Sequence, residues 1–167
     1  MNGGRMAKDK HSGVATVKKR LEDYHELDKY IQQQIERMEN LESKMYYLKA
    51  QVLSDMPKSP NTVSDRTGAL VAQHEEMEEK IRGLIAERDQ EWEWAKSLLA
   101  GIRKASERTV IECRYHDGEK WEKISQILFG DREDFEDKSE SYKRACFRIH
   151  GEALSKMAKL QRTNACR

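Results

Sequence analysis

The sequence predicts an all-α fold in which a long antiparallel helical hairpin precedes a small C-terminal helical domain. Three observations favour this class. Hydrophobic residues and charged residues each make up 37% of the 167-residue chain, and the mean hydropathy is −0.95, a balance that suits helices burying a narrow stripe. Apolar residues recur at heptad spacing in two long segments. The chain has only two prolines, and no segment shows the period-2 alternation of a half-buried strand.

The first heptad segment starts near residue 17 and continues to about residue 53. Two positions of this heptad series are polar, Arg20 and Gln34, and they interrupt the apolar stripe. The stripe consists of Val17, Leu21, Tyr24, Leu27, Ile31, Ile35, Met38, Leu41, Met45, Leu48 and Val52. Residues 1–15 are rich in Gly, Ser and Lys and carry no periodicity, so we expect a disordered N-terminus there.

The second heptad segment covers residues 64–103. Leu70, Met77, Leu84 and Leu98 form one of its two apolar series, and Ile81, Ala95 and Ile102 form the other. The linker before it, residues 54–65, contains both prolines and ends the first helix. A short linker favours an antiparallel hairpin, or coiled coil, over residues 16–105. Pairing of each helix with another subunit, which would give a homo-oligomer, is the alternative that the sequence leaves open.

Three shorter helical patterns follow. The first starts at Ser106, a suitable N-cap residue, and ends before Gly118, a residue suited to the position just past a helix. The second starts at Trp121 and ends at Gly130. The third starts near Ser139 or Ser141, and its apolar side is Cys146, Ile149, Ala153, Leu154, Met157 and Leu160. Three consecutive helices, the last of them basic, predict a helix-turn-helix domain over residues 106–160, followed by a tail over residues 161–167.

Charge is distributed in blocks along this region. Residues 141–167 contain seven basic residues and one acidic residue, a net charge of +6, while residues 131–140 contain six acidic and two basic residues, a net charge of −4. The last helix of a helix-turn-helix enters the major groove by its N-terminal residues. The predicted DNA-binding residues are therefore Ser141, Tyr142, Lys143, Arg144, Arg148 and His150.

The acidic segment, residues 131–140, occupies the turn of this predicted motif. It is ten residues long, whereas a standard turn has about three or four. A long acidic turn could fold over the domain, face RNA polymerase, or repel the DNA backbone so that one binding pose remains. A solvated surface loop is the simplest alternative.

Three motifs of the C-terminal region, taken in order, resemble a known family. They are RYHDGEKWEKI (residues 114–124), FGDRED (residues 129–134) and RIHGEAL (residues 148–154). The sequence is similar to the phage and prophage transcriptional regulators of low-GC Gram-positive bacteria, which join a coiled region to a module like region four of sigma factors. The chain departs from that pattern at Lys120, where a capping Ser or Thr is usual, and at Ser125, where Ala is usual. Asp117 or water would then cap the second helix.

The resemblance implies a function and partners. It implies a sigma region-four-like helix-turn-helix over residues 106–160 that regulates late phage genes, with double-stranded DNA as the partner and host RNA polymerase as a possible second partner. A small terminase-like DNA-packaging subunit also joins helical oligomerisation to a helix-turn-helix, and it is the first alternative. A coiled-coil structural or scaffolding protein, whose C-terminal helices act only as a cap, is the second.

Other kinds of site have little support in the sequence. There is no Gly-rich phosphate loop and no nucleophile motif, so we expect no enzyme activity and no cofactor. Cys113 with His116, and Cys146 with His150, have spacings that resemble zinc ligands, but both pairs lie on predicted helices, and we expect no metal. Three widely spaced cysteines suggest a reducing compartment. With no apolar signal sequence or membrane-length apolar segment, we expect a cytoplasmic protein.

Overall fold

The structure is a computed structural model that describes residues 3–52 and 62–165, with side chains described for residues 13–48 and 67–165. The described residues form five α-helices and no strand. The helices are α1 (Gly3–Val52), α2 (Thr62–Leu99), α3 (Ala105–Ile111), α4 (Trp121–Phe129) and α5 (Ser139–Ala165). A π-helical turn, Glu112–His116, continues α3. The predicted all-α class is confirmed.

The ends of the long helices differ from the sequence prediction. Helix α1 begins at Gly3, although residues 1–15 carry no heptad pattern and were predicted to be disordered. Val14 packs against a buried core that contains Val17, so tertiary contacts hold this part of the helix, and a helix already nucleated extends at low cost. Helix α5 likewise continues to Ala165 through most of the predicted tail. The predicted linker over residues 54–65 lies largely outside the described residues, and its last four residues belong to α2.

The chain divides into two compact units that differ from the predicted domains. The large unit comprises Met1–His25 and Glu91–Arg167, and the small unit comprises Glu26–Gln90. The sequence predicted a boundary near residue 105, between the hairpin and the C-terminal domain. In the structure, the N-terminal part of α1 and the C-terminal part of α2 belong to the same unit as α3, α4 and α5.

One hydrophobic core holds the segments of the large unit together. Its buried side chains come from α1, α2, α3, α5 and the segments between them: Val17, Leu21, Ala95, Leu98, Leu99, Ile102, Ile111, Tyr115, Ala153, Leu154, Met157 and Ala158. Each fully buried Leu, Ile or Met contributes about 1.5–3 kcal/mol to folding. The C-terminal helices therefore share their main core with the long helices.

A second, smaller core connects α3, α4 and α5 within the large unit. Val110, Cys113, Ile124 and Cys146 are its buried members. Trp121, Leu128, Phe129 and Ile149 pack around them. This cluster sets the position of α4 against the N-terminal half of α5, where the predicted DNA-binding residues lie.

The small unit is built on the seam predicted from the first heptad pattern. Ile31, Leu41 and Ile81 are buried there. Gln34, which was expected to interrupt the stripe, is only 1% exposed and lies in the seam itself. Met38, Met45 and Leu48 are half-buried.

Polar contacts flank this seam. Arg88 pairs with Asp28 at 3.1 Å, and His74 Nε2 lies 2.9 Å from Glu42 Oε1. As residue numbers rise along α1, the numbers of the residues contacted on α2 fall.

The ends of the short helices show which caps form. Lys104 and Lys120 occupy the N-cap positions of α3 and α4, and in the described part of the chain neither N-cap side chain makes a capping hydrogen bond. Ser106 and Asp117, the expected caps, do not serve this role. Gly118 follows the π-helical turn at φ +70, a left-handed conformation that favours glycine. The predicted position of this glycine is confirmed.

Among the described residues, no helix combines the length and the apolar character that crossing a membrane requires.

Candidate nucleic-acid interface

Helix α5 has a buried side and an exposed side along its N-terminal half. Cys146 and Ala153 are fully buried, and Ile149 packs against the smaller core. The opposite side, which we call the outer face of α5, consists of Arg144, Phe147, Arg148 and Gly151, all of them exposed. Residues three, four and seven positions apart share one helix face, so the burial of the apolar stripe turns this set towards solvent.

Arg144 and Arg148 are the basic residues of the predicted site that remain free. Both are exposed, and neither makes an ion pair or a side-chain hydrogen bond with any residue that the structure describes. They lie one helical turn apart, so their guanidinium groups project from the same face. Guanidinium stays charged at all relevant pH values and offers five donors in a planar fork, which matches phosphate oxygens or a guanine edge.

Lys143 is already paired within the protein. Its Nζ lies 2.5 Å from Glu122 Oε1 and 3.7 Å from Glu140 Oε1. The hydrogen bond to Glu122 raises the pKa of Lys143, and the same bond lowers the pKa of Glu122. Lys143 therefore stays charged, but neighbouring carboxylates offset that charge. A phosphate would have to compete with Glu122 for it.

Ser141 and Tyr142 differ in exposure although they are adjacent. Ser141 is exposed in the first turn of α5. Tyr142 is half-buried, and its hydroxyl donates a hydrogen bond of 2.6 Å to Asp134 Oδ1. Its ring stacks on Phe129 at 4.9 Å and on Phe135 at 5.8 Å between centroids. Tyr142 thus ties α5 to the acidic segment, and its hydroxyl is engaged.

His150 points into the domain and not along the outer face. Its Nε2 lies 3.0 Å from the Tyr115 hydroxyl, and its ring meets Trp121 edge-on at 5.2 Å. Burial, with smaller contributions from Lys18 and Arg114, lowers the pKa of His150 to about 4, and burial raises the pKa of Tyr115 to about 12. At neutral pH the imidazole is therefore neutral, and it shares a hydrogen bond with the tyrosine hydroxyl. This geometry favours a packing role for His150 over a contact with phosphate.

The acidic segment is folded against α4 and α5. Asp134 accepts hydrogen bonds from Lys138 Nζ at 2.8 Å and from Tyr142, and these bonds lower its pKa. Phe135 is half-buried, and the Arg132 guanidinium lies 5.6 Å from the centroids of the Phe129 and Tyr142 rings. Of the alternatives for this segment, folding over the domain agrees best with these contacts.

The residues of the imagined zinc site are not brought together for metal binding. Cys113 and Cys146 are buried in the smaller core, and burial raises the pKa of both thiols. His116 Nδ1 lies 2.7 Å from the Tyr24 hydroxyl, and its ring stacks on Trp92 at 4.4 Å. In the described parts of the chain, no three His, Cys, Asp or Glu side chains are grouped to hold a metal ion.

Two residues of the outer face were missed by the sequence analysis. Phe147 is 45% exposed, with its ring 4.6 Å from that of Trp121. Gly151 has open space around it, since a Cβ placed there would meet nothing within 4 Å. Phe147 belongs to neither the apolar stripe nor the basic set. Phe147 is three residues after Arg144, and this spacing could have indicated that the two side chains share a helix face.

No family model, no curated protein and no solved structure matches this chain. The interpretation of the outer face therefore depends on its own geometry and charge.

Proposed function

We propose that this protein is a DNA-binding transcriptional regulator, and that the N-terminal half of α5 enters the major groove. The observation that carries the proposal is the pair Arg144 and Arg148, exposed on one helix face and unpaired among the described residues. Arginines that are not neutralised internally can release counterions from DNA, which drives binding. The role requires no catalytic group and no cofactor, and it agrees with a cytoplasmic location.

The arrangement of helices supports a helix-turn-helix interpretation. Helices α3, α4 and α5 follow one another and share the smaller core. In this interpretation α5 is the recognition helix, and residues 130–138 form an unusually long turn whose contacts with Tyr142 and Phe129 hold it against the domain. We further propose that α1 and α2 form an antiparallel hairpin within one chain, because the contacts Asp28–Arg88 and Glu42–His74 run in opposite directions along the two helices.

The three motifs quoted above support a particular biological setting. Their resemblance to phage and prophage regulators with a sigma region-four-like module supports control of late phage genes, with host RNA polymerase as a second partner. A terminase-like packaging subunit would use a similar DNA-binding surface. Footprinting on phage DNA separates these two roles, because a late promoter supports the first and a packaging site supports the second. A homo-oligomer through the long helices would add avidity to either role.

The proposal is tested by titrating duplex DNA with the full chain at two salt concentrations. We expect Arg144→Ala and Arg148→Ala each to weaken binding about tenfold or more. Lys143→Ala should cost less, because Glu122 already offsets that charge. Lys159→Ala is the matched control, since Lys159 is an exposed base near the other end of α5, and we expect little change. No salt-dependent binding by the unaltered chain, or equal effects of Arg144→Ala and Lys159→Ala, would contradict the proposal and favour a structural role.

A further inference from the structure

The outer face of α5 carries an exposed aromatic side chain, Phe147, beside its two arginines. Attraction between the arginines and phosphate would not require this ring. Phe147 is 45% exposed, while the apolar residues on the other side of the helix, such as Cys146 and Met157, are fully buried. Exposing a large aromatic ring to water is unfavourable. A single exposed apolar side chain needs no explanation by itself, but Phe147 lies on the same helix face as Arg144 and Arg148, which are exposed and have no ion pair among the described residues.

The ring is held in a defined position. Trp121 supports it at 4.6 Å between centroids with the two planes tilted by 58°. Trp121 in turn packs on the smaller core and lies under the Arg114 guanidinium, 5.2 Å away. Tilted aromatic pairs of this spacing are attractive. Phe147 is therefore presented in one orientation between Arg144 and Arg148.

Gly151 makes space next to this ring. It lies four residues after Phe147, so a side chain there would be its neighbour on the helix surface. A glycine within a helix costs about 1 kcal/mol relative to alanine. The described structure does not require a glycine here: apart from the neighbouring backbone of α5 itself, no atom lies within 4 Å of the place where a Cβ would be. The free space is on the outer side, where a partner would approach.

We propose that Phe147, with the space left by Gly151, contacts the 5-methyl group of thymine in the major groove, so that Arg144 and Arg148 flank a thymine-reading position. The inference rests on the proposed function and adds a specificity determinant to it. Thymine is the base that presents a methyl group in the major groove, and phenylalanine is among the residues that contact it. The positive charge on both sides of Phe147 complements the phosphates on either side of the groove.

The central test uses the unaltered protein. A duplex is selected from a randomised pool by the full chain, and each thymine is then replaced by uracil, which removes only the methyl group. We expect uracil at one or two positions to weaken binding about fourfold each, the value for one buried methyl. Phe147→Ala should bind the thymine duplex correspondingly less well and show no further loss with uracil. Ile127→Ala, which removes another exposed apolar side chain of the same unit, should keep the full uracil effect.

Glycine substitutions provide a second measurement. Gly151→Ala and Gly83→Ala both lie in helices with nothing within 4 Å of the added Cβ, so both should raise the melting temperature. Only Gly151→Ala should weaken binding to the selected duplex, by about threefold or more, because its methyl group fills the space that we assign to the partner. Unchanged binding by Gly151→Ala would overturn the part of the proposal that uses this space.

The outcomes separate this inference from the function on which it rests. Absence of salt-dependent binding to any duplex overturns both. Salt-dependent binding without sequence selection, or without a uracil effect at any position, overturns the inference alone. A uracil effect that persists in Phe147→Ala assigns the methyl contact to another residue and also overturns it.

Discussion

Neighbouring side chains of α5 have different electrostatic environments although the sequence groups them together. Lys143, Arg144 and Arg148 all contribute to the same basic segment. In the structure Lys143 pairs with Glu122, whereas the two arginines have no partner among the described residues. Glu122 is on α4, so only packing of α4 on α5 brings it within reach. The free positive charge of the outer face is therefore that of the two arginines.

His150 leads to a prediction about pH. Its folded-state pKa of about 4 lies below the ordinary value of 6.5, so the unfolded chain binds a proton at higher pH than the folded chain. Stability contributed by the neutral imidazole is present above about pH 6.5 and is lost as the pH falls towards 4. Between pH 7 and pH 5 we expect the free energy of unfolding to fall about 1–2 kcal/mol more for the unaltered chain than for His150→Gln.

Urea denaturation at the two pH values measures this difference. A glutamine amide can either donate a hydrogen bond to the Tyr115 hydroxyl or accept one from it, and all other ionisable residues are the same in both chains, so the comparison isolates His150. Identical pH dependence in the two chains would mean that the imidazole is not held neutral in the folded state.

At the scale of elements, the seam between α1 and α2 contains a polar residue that lacks a full set of bonds. Gln34 is 1% exposed, its Oε1 lies 3.5 Å from Lys80 Nζ, and its Nε2 has no hydrogen-bond partner among the described residues. A buried donor left unpaired costs about 1–3 kcal/mol. Polar residues inside helical seams can specify the register or the number of helices at a cost in stability, and Gln34 is suited to that role.

We predict that Gln34→Leu stabilises the chain by about 1–2 kcal/mol, because it removes the unpaired donor and adds apolar contact. Chemical denaturation measures the stability, and sedimentation equilibrium shows whether the number of associated chains changes. Gln33→Leu is the control, since Gln33 is exposed on the same helix and its replacement should change stability little. Equal effects of the two substitutions would show that Gln34 is not in a buried seam.

At the scale of the whole molecule, the main core joins segments that are far apart in sequence. Val17 and Leu21 of α1 belong to the same buried cluster as Leu98 of α2 and Met157 of α5. Residues 106–160, predicted from the sequence to be a separate domain, thus lack several side chains of their own core. Their fold therefore depends on the two long helices, and so does the surface that we propose binds DNA.

This dependence predicts the behaviour of two shortened chains. Residues 106–167 alone should show little helix and no cooperative melting by circular dichroism, because they expose the apolar side of α5 to water. A chain in which a short Gly/Ser linker replaces residues 26–90 should fold, because Tyr24 and Trp92 stack at 5.2 Å and the joined ends lie close together. Cooperative melting of the 106–167 fragment at the temperature of the linked chain would contradict a shared core.

Local features of the chain were predictable from sequence. Heptad spacing identified the seam residues Ile31, Leu41 and Ile81, and the 3–4 spacing after Ser139 identified the buried side of α5. Gly118 was placed just past its helix. Each of these depends on periodicity or backbone preference within a few residues. The heptad pattern also marked Gln34 as a break, although a polar side chain can stay in a seam when its neighbours bury it.

By itself the sequence determined an all-helical chain, the apolar stripes of its long helices and the basic side of α5. Only the tertiary structure decided that α1 and α2 share a core with the C-terminal helices, that Glu122 partly neutralises Lys143, and that His150 faces inward while Phe147 faces outward. The physical reason is distance along the chain. Helical periodicity is written in neighbouring residues, whereas burial and ion pairing depend on side chains such as Val17 and Met157 that only folding brings together.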